Sequence, residues 1–190
     1  MVMQERAVRT REALVRAAAV EIDGKGYAGA TLSGICKSAQ VSMGALTFHF
    51  ANKSELADAV VERGCEVTRE LVEKVAANRE CALGSVGALT LGLARLLEED
   101  VAVRSAALLA RERPKVGADW NAAWLPAVRG LLESAGEQGE LRFGAPPVTV
   151  AALIAHLLAG AEVQRRRGGT VNRLEPIWEL VLNGVAARGV

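Results

Sequence analysis

The run from Thr31 to Lys53, TLSGICKSAQVSMGALTFHFANK, constrains this chain more than any other stretch. Leu32, Ile35, Cys36 and Ala39 recur at i, i+3, i+4 and i+7 and so line one face of a helix. Gln40-Val41 breaks the pattern, and the Ser42 hydroxyl can cap a second helix running from about Ser42 to Phe48. That helix carries Gly44 and Ala45 where a supporting helix would carry bulk, so its outer side can press close to another surface. Two short helices across a tight turn, the second with a lean outer face, suit the major groove of double-stranded DNA. The same outline occurs in helical proteins that never meet DNA, so the flanks decide. Upstream, Arg9-Thr10-Arg11-Glu12 leads into a helix with Leu14, Ala17, Ala18 and Ile22 inward, ending at Gly24-Lys25-Gly26-Tyr27. Downstream, Phe48-His49-Phe50 precedes Asn52-Lys53-Ser54-Glu55-Leu56, in which Asn52 and Glu55 have the spacing of a capping box.

The candidate DNA contacts are Arg9, Thr31, Lys37, Ser42, Met43, Gly44, Ala45, Thr47, Phe48, His49 and Lys53. Lys53 opens the helix after the motif, where backbone N–H groups and the helix dipole also favour an anion, and reads as a phosphate contact. Residues 1–60 hold seven Lys/Arg and six Asp/Glu, a net of +1, a weaker field than non-specific nucleic-acid binders show. Distribution compensates. Arg9, Arg11, Lys37 and Lys53 lie near helix beginnings and the turn, whereas Glu21 and Asp23 lie toward the far end of the first helix.

In TRE-x-L-x-x-A-A (Thr10 to Ala18), KGY (Lys25 to Tyr27), TLSGI (Thr31 to Ile35) and VSMGALTFHFANKSEL (Val41 to Leu56), the chain resembles the TetR-type bacterial repressors. The resemblance implies a dimeric, all-helical regulator whose third helix enters the major groove. GALTFHF looks most like the γ-butyrolactone receptors, autoregulator or antibiotic sensors of mycelial actinobacteria. Two positions depart from that pattern: Thr47 stands where the family commonly has a tyrosine that reaches a phosphate, and Met43 where some butyrolactone receptors have a lysine. The resemblance also implies a ligand-facing tryptophan ahead of a Leu-Leu pair, matched by Trp124 before Leu131-Leu132.

The rest of the chain reads as a second module, giving an all-α fold of about nine helices: a helix-turn-helix domain over 1–52, then a ligand-binding and dimerisation domain over 53–190. Helices are expected over about 53–77, 83–99, from 101, over 119–137 with Pro126 near its start, 147–167 and 173–188. Residues 114–118 and 139–147 read as loops, and Gly168-Gly169 as a helix stop. Glu98-Glu99-Asp100 marks a boundary, since acids suit the start of a helix and not its end. Hydrophobic residues make up 51% of the 190, aromatics only 4%, so the core is mostly Ala, Leu and Val.

A small-molecule effector would meet apolar walls with a few polar handles. Trp120, Trp124, Leu93, Leu97, Leu108 and Leu109 are the candidates, with Gln164, Asn121 and Glu112 as possible polar groups; ordinary core filling is the alternative. Ala152, Ala155, Ala159, Trp178 and Leu182 on the last two helices suit a four-helix dimer interface, burial inside one subunit being the alternative. Arg165-Arg166-Arg167 complements a helix C-terminus. Three cysteines without a ligand spacing, no cleavable leader and an apolar stretch (Val148 to Ala161) too short to span a bilayer point to a cytoplasmic protein with no membrane partner. His49 and His156 belong to no catalytic motif, so no enzyme, no metal and no cofactor is expected. The function read from the sequence is a repressor that releases its operator on binding a butyrolactone-like autoregulator or an antibiotic. Its alternatives are a multidrug-sensing repressor of an efflux pump, using carboxylates such as Glu98, Glu99, Asp100 and Glu112, or a helical adaptor that binds no DNA.

Overall fold

The computed structural model describes residues 2–78, 81–113, 119–166 and 174–187. Among these the chain is helical almost throughout, nine α-helices and a short 3-10 turn, with one isolated bridge between Leu141 and Ala186. The expected loop at 114–118, the Gly168-Gly169 stop, Arg167 and both ends of the expected last helix lie outside the described residues. The helices form two compact units: residues 1–65 with 100–120, and residues 66–99 with 121–190. That division differs from a boundary at Lys53. The helix that begins there contributes to both units, and a later helix belongs with the N-terminal ones.

In the first unit α1 (Val2–Gly29) buries Leu14, Ala18 and Ile22, one side at i, i+4 and i+8. Gly26, at φ 73° and ψ 169°, breaks the helix in a backbone region open essentially to glycine alone. Then come α2 (Leu32–Ala39), α3 (Met43–His49) and the start of α4 (Lys53–Ala77). The fifth member is α6 (Val101–Glu112), which packs along α1. Asp100 caps it, one carboxylate oxygen accepting from Ala102 N at 2.8 Å and Val103 N at 3.0 Å, so the boundary falls where the acidic run placed it, although Glu98 and Glu99 themselves close α5. Polar ties join α6 to α1, among them Arg104 Nε at 2.9 Å from Asp23 Oδ2 and the buried Ser105 hydroxyl donating to Ala19 O at 2.7 Å. Gly64 on α4 faces α6 so closely that a Cβ there would stand 2.7 Å from Ala102 O.

The second unit is organised by α5 (Ala82–Glu99), which packs against α7 (Leu125–Glu137), α8 (Pro147–Arg166) and α9 (Leu174–Val185). The Trp120–Ala123 3-10 turn precedes α7, and Pro126 takes the first turn, where its missing N–H costs nothing. Buried Glu140, in the loop after α7, caps α5: its carboxylate accepts from Leu83 N at 2.6 Å and Ala82 N at 3.3 Å. The same loop is stitched to the end of α9, Arg142 N donating to Val185 O and Ala187 N to Glu140 O. Trp178 on α9 is buried inside the unit, its indole filling the space that Gly87 leaves on α5. Leu182 is half-buried against Ala82, Leu83 and Ala135. By contrast Ala152 and Ala159 on α8 are exposed and Ala155 half-buried, and Leu153 on α8 and Leu180 on α9 are exposed as well. At 20 residues and a mean hydropathy of 1.4, α8 is longer than its apolar stretch suggests, and by length and composition alone it matches a membrane span. Only 28% of its most apolar 18-residue stretch is buried within the chain. Its inner side is Val150, Ala151, Ile154, Leu158 and Glu162, so the helix has a packed face and an apolar outer one.

Candidate nucleic-acid interface

Each turn of the reading motif is fixed by a side-chain or backbone hydrogen bond. Thr31 caps α2, its hydroxyl accepting from Gly34 N at 3.0 Å. A Cβ at Gly34 would fall 2.7 Å from a Glu21 carboxylate oxygen on α1 and 3.0 Å from the Thr31 hydroxyl, so glycine leaves room for both side chains. α2 ends on Gln40, at φ 56° and ψ 40°. Gln40 N donates to Lys37 O at 3.3 Å and Val41 N to Cys36 O at 3.0 Å, the paired bonds of a Schellman ending. Ser42 then caps α3 by accepting from Ala45 N at 3.1 Å.

A left-handed residue with a side chain is strained by about 1 kcal/mol or more. Among the described residues Gln40 is the only non-glycine at positive φ. Gln40→Gly is therefore expected to raise the melting temperature by a few degrees while leaving DNA affinity within two-fold. A lower melting temperature by circular dichroism would show that the Gln40 side chain stabilises the turn by more than its backbone costs.

Leu46 and Phe50 are fully buried and anchor α3 from beneath, with the Arg11 guanidinium 5.1 Å from the Phe50 ring centre. At 100° per residue Met43, Thr47, Gly44 and Phe48 fall within an arc of about 140° on the opposite side. All four are exposed, Phe48 at 80% and Met43 at 43%. Ala45 and His49 are half-buried at its edge, the His49 ring edge-on to Phe48 at 5.1 Å. Thr47 Oγ1 donates back to Gly44 O at 3.2 Å. Thr31 and Ser42 are thus positioning groups, and the outward surface belongs to Met43, Gly44, Thr47 and Phe48.

Cations frame this surface. Lys37 is exposed on the last turn of α2. A groove of about 400 Å³, lined by Arg6, Arg9, Thr10, Ala13 and Val41, opens beside the residue that leads into α3. Arg9 lies 3.9 Å from Glu5, both well exposed, a pairing weak enough to yield to a phosphate. Arg6 joins Arg9 in that groove.

The start of α4 is held more firmly. Asn52 Oδ1 accepts from Glu55 N at 2.9 Å and Glu55 Oε2 from Ala51 N at 2.7 Å, a capping box displaced by one residue. Lys53 Nζ donates to Ala28 O at 3.3 Å and lies 4.5 Å from the Tyr27 ring centre. Arg113, at the end of α6, approaches the same ring at 4.7 Å, and reaches Asp58 Oδ1 at 3.0 Å and Ser54 Oγ at 2.6 Å. Glu112 accepts from Tyr27 N at 2.8 Å. Sequence reasoning missed this junction. KGY pointed to Tyr27, but nothing local ties it to residues 85 positions away.

Of the expected effector residues, Leu93, Leu97 and Trp124 are buried in the second unit and Leu108, Leu109 and Trp120 in the first. Glu112 and Asp100 are engaged as a backbone acceptor and a helix cap, so neither is a spare buried carboxylate. Glu98 and Glu99 are exposed, and Gln164 is exposed too. No cluster of metal-ligating side chains occurs among the described residues.

A capped helix-turn-helix with an open third helix defines a DNA-binding regulator. Known proteins agree. The pattern described as "Bacterial regulatory proteins, tetR family" matches residues 14–60. The chain is 29% identical to the A-factor receptor protein of Streptomyces griseus, over the whole of this chain and 68% of that protein. It superposes on a crystal structure of a γ-butyrolactone receptor (ArpA-like protein) with a TM-score of 0.82 at 29% identity, covering 96% of this chain and 91% of the other. A full-length TetR regulator from Streptomyces fradiae, TylP, is 31% identical with a TM-score of 0.67, covering 99% and 84%. The chain belongs to the TetR family of bacterial regulatory proteins, in its γ-butyrolactone-receptor-like branch. It is a ligand-responsive, dimerising DNA-binding repressor that releases its operator when its effector binds.

Proposed function

We propose that the effector is a γ-butyrolactone-like autoregulator or a related antibiotic, and that the operator is a two-fold symmetric duplex read by α3 from each protomer. The likeness to receptors of that class over nearly the whole chain carries the effector reading. Trp124, with Leu93 and Leu97, supplies the aromatic and aliphatic wall that such a ligand needs in the second unit. A cationic-drug sensor is less well supported, because Glu98 and Glu99 are exposed and Asp100, Glu112 and Glu140 each already accept backbone N–H groups. The outer faces of α8 and α9, with Ala152, Ala155, Ala159, Leu153 and Leu180, form the dimer contact. Two reading helices then meet half-sites about 34–36 Å apart.

Arg6, Arg9, Lys37 and Lys53 take phosphates on either side of the α3 arc. Lys53 must leave its perch on Tyr27 to do so. Lys53→Ala is expected to weaken binding to all duplexes alike and to flatten the dependence of log K on log salt by about one to two units per dimer. An unchanged salt slope would remove Lys53 from the interface. For the effector, a titration of synthetic γ-butyrolactones into the protein–operator complex is expected to dissociate it, with a coupling of about 5–150-fold. Release by a cationic dye, and not by any lactone, would support the multidrug reading instead.

A further inference from the structure

We propose that α3 selects its operator by the methyl groups of thymine, with Met43 and Phe48 as the specificity-determining residues. The inference rests on the reading of this chain as an operator-binding repressor and adds what that operator must contain. The four outward residues of α3 carry no formal charge and no amide, so none can make the paired hydrogen bonds by which Arg or Lys reads guanine and Asn or Gln reads adenine. Thr47 has its hydroxyl proton on Gly44 O, which leaves its γ-methyl as the part not engaged. Gly44 has only the Ser42 hydroxyl oxygen, at 3.9 Å, near the place a Cβ would take, so the backbone can approach an opposing surface closely.

What the arc does offer is apolar: a thioether chain 43% exposed at one end and a phenyl ring 80% exposed at the other. The ring is steadied by His49, edge-on at an interplanar angle of 82°, so it is presented in a defined orientation. The one apolar group that projects into the major groove is the thymine C5-methyl. Apolar side chains at both ends of a 7-residue helix fit a half-site with thymines on both sides of the helix axis.

The test begins with selection of duplexes from a random pool by the full-length wild-type protein. The best duplex is then remade with deoxyuridine for thymidine in the half-sites, which deletes only the methyls. Wild type is expected to bind the uracil duplex more weakly, by about four-fold for each contacted methyl, the value of one buried CH2 group. Phe48→Ala and Met43→Ala should each lose part of that discrimination while keeping the wild-type salt slope. Equal binding of thymine and uracil duplexes by wild type would overturn the proposal, as would full discrimination in both variants. Failure to enrich any duplex would instead overturn the operator reading beneath it.

Discussion

Phe50→Ala is expected to melt the reading head, whereas Phe48→Ala, two residues away in the same FHF run, leaves it folded. Phe50 is 1% exposed and ends α3, its N–H donating to Leu46 O at 2.9 Å and its ring stacked near Arg11. Truncating a buried phenylalanine costs about 3–5 kcal/mol, through lost transfer energy and the cavity left behind. That is a large share of the roughly 5–15 kcal/mol that holds a typical domain together. A fall in melting temperature of about 10 °C or more follows, with DNA affinity lost before the rest of the helical signal. Phe48, 80% exposed, supports nothing beneath it, so its removal should cost no more than about 0.5 kcal/mol. Equal melting temperatures for the two variants, measured by circular dichroism, would contradict the assignment of one ring to the core and the other to the groove.

These two rings also show what a sequence can reveal. Helical periodicity sets Leu46 apart from Met43, Thr47 and Phe48, because on an amphipathic helix burial repeats with the backbone. Phe50 follows the end of α3 in extended backbone, so its burial is a matter of tertiary packing that the period does not show. Caps are equally local. Thr31, Ser42 and Asp100 each satisfy N–H groups two or three residues ahead, so their roles follow from spacing alone. Contacts between distant segments leave no such periodic trace. Glu140 looks like one more acid in a loop, yet it caps a helix that begins 58 residues earlier. Trp178 has the profile of an interface aromatic, and only the missing side chain at Gly87 shows that it belongs inside. The same holds for α6, whose place along α1 makes the first unit discontinuous in sequence. The effector and dimer surfaces were legible only as apolar faces, since a helix pattern does not say which neighbour covers it.

The junction at Tyr27 carries the second large effect. The chain passes from the first unit to the second along α4 between Cys65 and Glu66, back to the first between Glu99 and Asp100, and to the second again between Trp120 and Asn121. Two of these three passages lead into α4 and α6, the helices that reach the reading head. At the far end of α6, Glu112 holds the turn at Gly26-Tyr27, and Arg113 holds Ser54 and Asp58 in the first two turns of α4. The Arg113 side chain is only 7% exposed, while that of Asp58 is 38% exposed. Removing one partner of a buried pair costs about 3–5 kcal/mol, but water can reach Asp58, so about 2–3 kcal/mol is the better figure here. Arg113→Ala is therefore expected to lower the melting temperature by about 5–10 °C. It should also free the helix that follows α3, so that operator affinity falls and effector no longer changes it by its wild-type factor. Arg113→Lys keeps the charge but cannot reach Asp58 and Ser54 with one planar fork, and should recover only part of the stability. Operator titrations with and without effector separate a structural role from a coupling one. If Arg113→Ala bound its operator and released it like wild type, α6 would transmit nothing through this contact.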